Sequence, residues 1–183
     1  MAEVNQEVVR LFFEGKGFFV QSNVQFPIAS GRGRAQGNID LLVANTDMPS
    51  GLRGMIPGRF VLQEDDVSGI GRAIVDVKGW HGRYFSPATI IEHAGDILFG
   101  PEALQKAAEI LGTDQFDRIL VVSRMSPDPD QRGQAEEILR QGGVDYVIEF
   151  GTIVNFLWFN VEENGGYAPR TLQTMSLIKK YVF

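Results

Sequence analysis

The run at 73–78 constrains the fold of this chain more than any other stretch. Most of its residues are apolar and β-branched, which favours a buried strand, and a single carboxylate interrupts them. Side chains alternate between the two faces of a strand, so Asp76 and Lys78 point one way while Val75 and Val77 point the other. The run therefore predicts a strand that presents a carboxylate and an ammonium group on one face of a sheet.

Length and composition indicate one globular domain spanning 1–183. Of the 183 residues, 44% are hydrophobic and 22% are charged, which is typical of a soluble protein with a sizeable core. The net charge of −6 argues against a nonspecific nucleic-acid coat protein, although a local basic patch can still meet phosphate. We found neither a signal-like N-terminus nor an apolar run long enough to span a bilayer. We therefore expect a cytoplasmic protein with no membrane partner.

The inventory of metal-binding side chains restricts which metal the chain can hold. The sequence has no cysteine and two histidines, His81 and His93. Disulfides, thiolate zinc sites, cysteine nucleophiles and three-histidine zinc sites are therefore excluded. Any metal must be held largely by oxygen, which favours Mg²⁺, with Mn²⁺ as the alternative, over zinc.

A second carboxylate, Asp40, lies in another predicted strand at 38–44. Ile39, Leu41 and Val43 share one face of that strand, and Leu42 makes the other face apolar as well. A carboxylate inside such a strand is costly unless it is paired or binds a metal. The alternative is a strand-end aspartate that bonds a loop amide.

A third carboxylate, Glu7, falls in a predicted amphipathic helix at 3–16. Val4, Val8, Leu11 and Phe12 recur at spacings of three and four and so share one face, with Glu7 along its edge. The alternative is a solvated glutamate favoured by the helix dipole.

Two loops carry residues suited to nucleic acid. Arg32 and Arg34 lie in a predicted Gly/Arg loop at 29–37, and His81 and Arg83 follow the central strand. Cationic and aromatic side chains can contact phosphates and stack on bases. The alternatives are a solvated loop at 29–37 and packing of Trp80 on the core.

The rest of the chain alternates between strand and helix patterns. A strand at 18–26 is expected to end at Pro27, and 45–72 to form a hairpin insertion with a strand at 59–63 and a solvated acidic turn at 64–66. The later predictions are a helical region at 86–111 broken near Gly100, strands at 116–123 and 144–150, a helix at 134–141, a helix or edge strand at 153–159, and a C-terminal extension after about residue 150.

In element order and in these residues the chain resembles the PD-(D/E)XK nuclease superfamily, particularly its restriction-endonuclease-like and Holliday-junction-resolvase-like members. Asp40 matches the first acidic position, and Asp76 and Lys78 match the (D/E)-x-K element. Asn38 and Ile39 stand where a proline often precedes the first aspartate. Glu7 is similar to the helical glutamate of many members, with Glu3 and Glu14 as competitors. The motifs cover residues 3 to 80, and the element order extends to about 150.

The resemblance implies a three-layer α/β/α fold around a central mixed β-sheet, and a Mg²⁺-dependent deoxyribonuclease. Asp40, Asp76, Glu7 and the backbone carbonyl of Val77 would hold the metal, and Lys78 would orient the nucleophile or steady developing charge. It favours an endonuclease over an exonuclease. It also leaves a homodimer open, because many such nucleases cut both strands.

Two rival functions remain. One is a non-catalytic nucleic-acid-binding or scaffold protein that retains the nuclease fold, because folds host unrelated functions. The other is an α/β enzyme that acts on a small molecule. The glycines at 31–33 oppose this second rival, since they do not open a helix within a βαβ unit.

Overall fold

A mixed six-stranded sheet flanked by helices forms the fold of this α/β protein, seen in a computed structural model that describes residues 2–30, 33–48, 58–93, 99–163 and 165–182. The strands are β1 Phe18–Ser30, β2 Gly33–Asn45, β3 Val61–Leu62, β4 Arg72–Lys78, β5 Asp117–Val122 and β6 Tyr146–Glu149. The α-helices of the described ranges are α1 Ala2–Gly15, α2 Pro87–Glu92, α3 Pro101–Leu111, α4 Pro129–Gln141, α5 Phe150–Asn160 and α6 Arg170–Val182.

The sheet has an antiparallel half and a parallel half that meet at β4. Its strand order is β1-β2-β4-β5-β6-β3. The strands β1, β2 and β4 pair antiparallel, whereas β4, β5, β6 and β3 pair parallel. The strand predicted to carry Asp76 and Lys78 is therefore central, with a partner of each kind.

Helices cover both faces of the sheet. Alternation along β5 sends Ile119 and Val121 into a core beneath α1 and α5, and Leu120 and Val122 into a core beneath α2 and α4. A third cluster, beneath α3, continues that second face across β1, β2 and β4. Strands buried on both faces read as continuous apolar runs, which explains why the prediction at 116–123 is confirmed.

Within 29–37, the described residues 29–30 and 33–37 are strand rather than the predicted loop. The strands β1 and β2 form one long hairpin that runs from Phe18↔Asn45 to Ser30↔Gly33, through Pro27. Proline is tolerated there because β1 lies at the edge of the sheet and needs no ladder bond on its outer side. The two strands therefore project past the rest of the sheet as a hairpin arm, residues 24–30 and 33–39.

The described part of 45–72 does not form the predicted hairpin. Residues 49–57 lie outside the described ranges, and β3 pairs parallel with β6 at the far edge of the sheet. The acidic turn is a 3₁₀ helix, Asp65–Gly69, beside which Glu64 pairs with Lys16 and Asp66 with Arg59. Glu64 and Asp66 are thus paired with cations rather than solvated.

Helix boundaries follow capping chemistry. Ser86 accepts a hydrogen bond from the Thr89 amide and starts α2 before a proline, as predicted. The helix α4 starts at Pro129 instead of 134, because Asp128 caps it through the amides of Asp130 and Gln131. The apolar run at 153–159 lies in helix α5, and α6 packs back on the domain through Leu172 and Met175.

Candidate functional site

The candidate site lies where β2 and β4 separate. Their pairing extends from Ala44↔Arg72 to Leu41↔Val75 and stops before Asp40. Asp40 instead places its Oδ2 2.8 Å from the backbone nitrogen of Val77, which donates a hydrogen bond to it. The pairing of β1 with β2 skips Asn23 and Asp40, and Asn23 has a positive φ of 53°, so the hairpin is irregular at this position. A carboxylate thus fills the gap between the diverging strands.

The alternation predicted for β4 is confirmed. Lys78 Nζ lies 2.9 Å from Asp76 Oδ2, so the two charged groups share one face. Val75 and Val77 pack on the opposite face, in the core beneath α1. The side chains of Asp76 and Lys78 are 20% and 19% exposed, which leaves both groups accessible at the margin of the core.

Burial and neighbouring charge act on Asp76 together. Burial raises the pKa of Asp76 from 3.8 to about 7, against the opposing attraction of Lys78, and the nearby Asp40 carboxylate adds to the rise. The negative charge of Asp40 near Asp76 favours the binding of a proton or a cation at this site.

Two amides from other positions hold the Asp40 carboxylate. Gln6 Nε2 on α1 donates to Asp40 Oδ1 at 2.5 Å, and Asn38 Nδ2 donates to the same oxygen at 3.4 Å. Sequence reasoning missed Gln6 because it placed Val4 on the buried face, whereas Val4 is 57% exposed. The buried face of α1 includes Asn5, which is a polar residue within an apolar period and was the available signal.

Asn5 connects α1 to the end of β4 through hydrogen bonds. The residue is 8% exposed, its Nδ2 donates to the Gly79 carbonyl at 3.4 Å, and its Oδ1 lies 3.0 Å from His81 Nε2. A Cβ at Gly79 would overlap the Asn5 amide, so glycine is required for this close approach. His81 also packs edge-on against Phe150, with ring centroids 5.0 Å apart.

Asp40, Asp76 and Lys78 line one cavity of about 430 Å³. One wall is the hairpin arm and the opposite wall is the start of α3. Lys78 ends β4, so the cavity lies at the carboxyl end of a strand where the sheet changes from antiparallel to parallel. Crevices outside strand ends at such switch points are the usual ligand sites of open α/β sheets.

Glu7 lies elsewhere. It lines a separate cavity of about 230 Å³ between α1 and β1, together with Glu3, Gln6, Arg10, Ser22 and Asn23. Its competitor Glu14 pairs with Arg10 at 2.7 Å. The structure thus brings Gln6 to Asp40 but places Glu7 in a different cavity.

The predicted nucleic-acid contacts are dispersed. His81 and Arg83 are exposed in the loop after β4, and Arg83 accepts a hydrogen bond from Ser123 through its carbonyl. Arg34 lies in β2, where the structure describes the backbone, and Arg32 lies outside the described residues. Trp80 stacks on Phe85 and packs against the core, as its alternative interpretation expected.

The donor set at the cavity fits a hard divalent cation. Asp40 and Asp76 offer carboxylate oxygens to one space, and such oxygens are the ligands that Mg²⁺ takes in proteins. Within the described ranges, no group of three or more His, Asp or Glu side chains is preassembled to hold a metal. The fit therefore rests on two carboxylates, with waters and substrate oxygens left to complete an octahedron.

Comparisons of the chain with family models, with curated proteins and with solved structures found no match. None of the helices in the described ranges is long and apolar enough to cross a membrane. Function must therefore be argued from the site.

Proposed function

We propose that this protein is a metal-dependent nuclease that hydrolyses DNA phosphodiester bonds on a restriction-endonuclease-like fold. The convergence of Asp40, Asp76 and Lys78 on one cavity carries the proposal. The order of α1, three antiparallel strands, α3 and the parallel strand β5 agrees with the element order of the superfamily that the sequence resembles.

Asp40 and Asp76 would hold Mg²⁺ or Mn²⁺, with the Val77 carbonyl beside them. When bound, such a cation supplies positive charge to the phosphate and acidity to a water. The chain's own contribution is to keep two carboxylates close together in a partly buried setting, where their mutual repulsion favours a cation. The Val77 amide and Gln6 fix Asp40, so one ligand is oriented before any metal binds.

Lys78 would act on the reacting groups. Its ammonium group is held 2.9 Å from Asp76 and borders the cavity, where it can hydrogen-bond a nucleophilic water or a phosphate oxygen. A preorganised cation beside developing negative charge stabilises the transition state without reorganisation. His81 and Arg83, exposed beyond the end of β4, would contact the DNA backbone.

The test is metal-dependent cleavage of labelled linear, nicked and branched DNA, with and without Mg²⁺ or Mn²⁺. Internal cuts in circular DNA would distinguish an endonuclease from an exonuclease. Calorimetric titration with Mg²⁺ provides a readout independent of cleavage. DNA binding with neither cleavage nor metal uptake would favour a non-catalytic nucleic-acid-binding protein instead.

A further inference from the structure

Apolar side chains share the lining of the cavity with Asp40, Asp76 and Lys78. They come from the hairpin arm, from β4 and from the start of α3, namely Phe26, Ile28, Ile39, Ile74, Phe99 and Ala103. These residues belong to the core cluster beneath α3 or pack against it, so the cavity opens at the margin of that core. A volume of about 430 Å³ lies within the range of small-ligand pockets, about 300–1,000 Å³.

The apolar wall depends on a glycine. Gly37 faces Phe26 across the hairpin, and a Cβ at Gly37 would overlap the Phe26 ring. The ring therefore lies over the backbone of β2 and closes that side of the cavity. On the opposite side Phe99 is half-buried, immediately before the first residues of α3. Two aromatic side chains thus border the same space.

Two polar residues of the cavity lining suit the edge of a nucleobase. The Glu102 carboxylate, in the first turn of α3, is an acceptor suited to exocyclic amino groups. The Asn38 amide, which comes from β2 and donates to Asp40, also offers an acceptor oxygen. Apolar walls with a few convergent polar groups are the usual make-up of a site for a planar, partly polar ligand.

We propose that the part of the cavity bordered by Phe26 and Phe99 receives an unpaired nucleobase of the DNA strand whose phosphate lies at Asp76 and Lys78. The inference rests on the proposed function and specifies its substrate class as single-stranded DNA or a single-stranded end. Bases in a duplex have both faces covered by stacked neighbours and expose only their edges in the grooves. An unpaired base offers a free face, which aromatic side chains bind with little sequence preference.

Binding tests the proposal without cleavage. Asp76→Asn protein is titrated against a fluorescent single strand and against the same strand annealed to its complement. The single strand should bind more tightly. Phe99→Leu, which keeps an apolar side chain but removes the aromatic face, should weaken single-strand binding about tenfold and leave duplex binding unchanged. Phe99→Tyr should retain single-strand binding. Phe159→Leu, at an exposed position on α5, should change neither single-strand nor duplex binding.

Cleavage assays separate this inference from the proposed function. Metal-dependent cutting of blunt duplex at least as fast as of single strand, unaffected by Phe99→Leu, would overturn the inference and leave the nuclease intact. Absence of cutting on any DNA, together with the expected binding pattern, would overturn the nuclease and keep the base site. Equal loss of single-strand and duplex binding in Phe99→Leu, with a lowered melting temperature, would show that Phe99 is merely structural and would also overturn the inference.

Discussion

Two charged residues at the end of β4 make the sharpest prediction at the residue scale. Asp76→Ala and Lys78→Ala should each lower kcat for DNA cleavage by about a hundredfold or more, because each removes a charged group from the reacting end of the cavity. Both side chains lie at the margin of the core, so the variants should stay folded. The measurement is single-turnover cleavage at saturating Mg²⁺, with thermal melts to verify folding.

Lys106→Ala is the matched control for the lysine. Lys106 pairs with Glu109 at 2.9 Å on α3, outside the residues that line the cavity, and its loss should leave kcat unchanged. Full activity in either Asp76→Ala or Lys78→Ala would show that the substituted residue takes no part in the reaction.

The two neighbouring residues Gln6 and Glu7 make a second prediction at this scale. Gln6 donates to Asp40, and Glu7 lines another cavity. Loss of a residue that orients a metal ligand commonly costs about 10- to 100-fold in activity or metal affinity. Gln6→Ala should therefore lower cleavage about tenfold, with Glu7→Ala having the smaller effect. The measurement is cleavage rate against Mg²⁺ concentration for both variants. A larger loss in Glu7→Ala would identify Glu7 as the acidic residue of the site.

At the scale of elements, strands with one dominant period were predictable and special backbone positions were not. The runs around Asp76 and at 116–123 required only alternation and β-branched residues. The hairpin arm was missed because Pro27 and the glycines of 31–37 argue against a strand, and only the edge position of β1 in the assembled sheet makes them acceptable. The partner of β3 is equally nonlocal, since β6 follows it by more than eighty residues.

The residues of the candidate site also differ in whether the sequence predicts them. Asp40, Asp76 and Lys78 were identifiable from the sequence. A charge within an apolar strand costs free energy unless an ion pair, a hydrogen bond or a metal compensates it. Gln6 was not identifiable, because a neutral amide near the start of a helix is ordinary until the helix is seen against β2. The gap that Asp40 fills depends on the register between β2 and β4, which no local pattern encodes.

The junction between α1 and the end of β4 makes a prediction about an element. Gly79→Ala should destabilise the protein by about 1–3 kcal/mol, because the new methyl group would displace the Asn5 amide. Gly133→Ala is the control, since Gly133 lies inside α4 with open space where the new methyl group would stand, and it should stabilise by about 0.5–1 kcal/mol. Urea unfolding measures both. Equal effects of the two substitutions would mean that the Asn5 contact does not restrict Gly79.

At the scale of the whole molecule, the position of the site couples metal binding to folding stability. The carboxylates of Asp40 and Asp76 lie where the antiparallel and parallel halves of the sheet meet. Electrostatic repulsion between these two carboxylates therefore acts on the central strand, β4. Without a metal, the energetic cost of ionising Asp76 opposes folding. A cation that binds only the folded protein should offset that cost.

The resulting pH dependence can be derived with its sign. The pKa of Asp76 is about 7 in the folded protein against an ordinary 3.8, chiefly through burial, so the folded state binds more protons between these values. The contribution of Asp76 to the free energy of unfolding should therefore fall as pH rises from about 4 to 7, by up to about 4 kcal/mol.

Mg²⁺ should raise the melting temperature more at pH 8 than at pH 5, because it binds the ionised carboxylates. Thermal melts of wild type and Asp76→Asn at both pH values measure this. Asp76→Asn should be more stable than metal-free wild type at pH 8 and should respond little to Mg²⁺, and an equal Mg²⁺ response in both proteins would place the cation elsewhere.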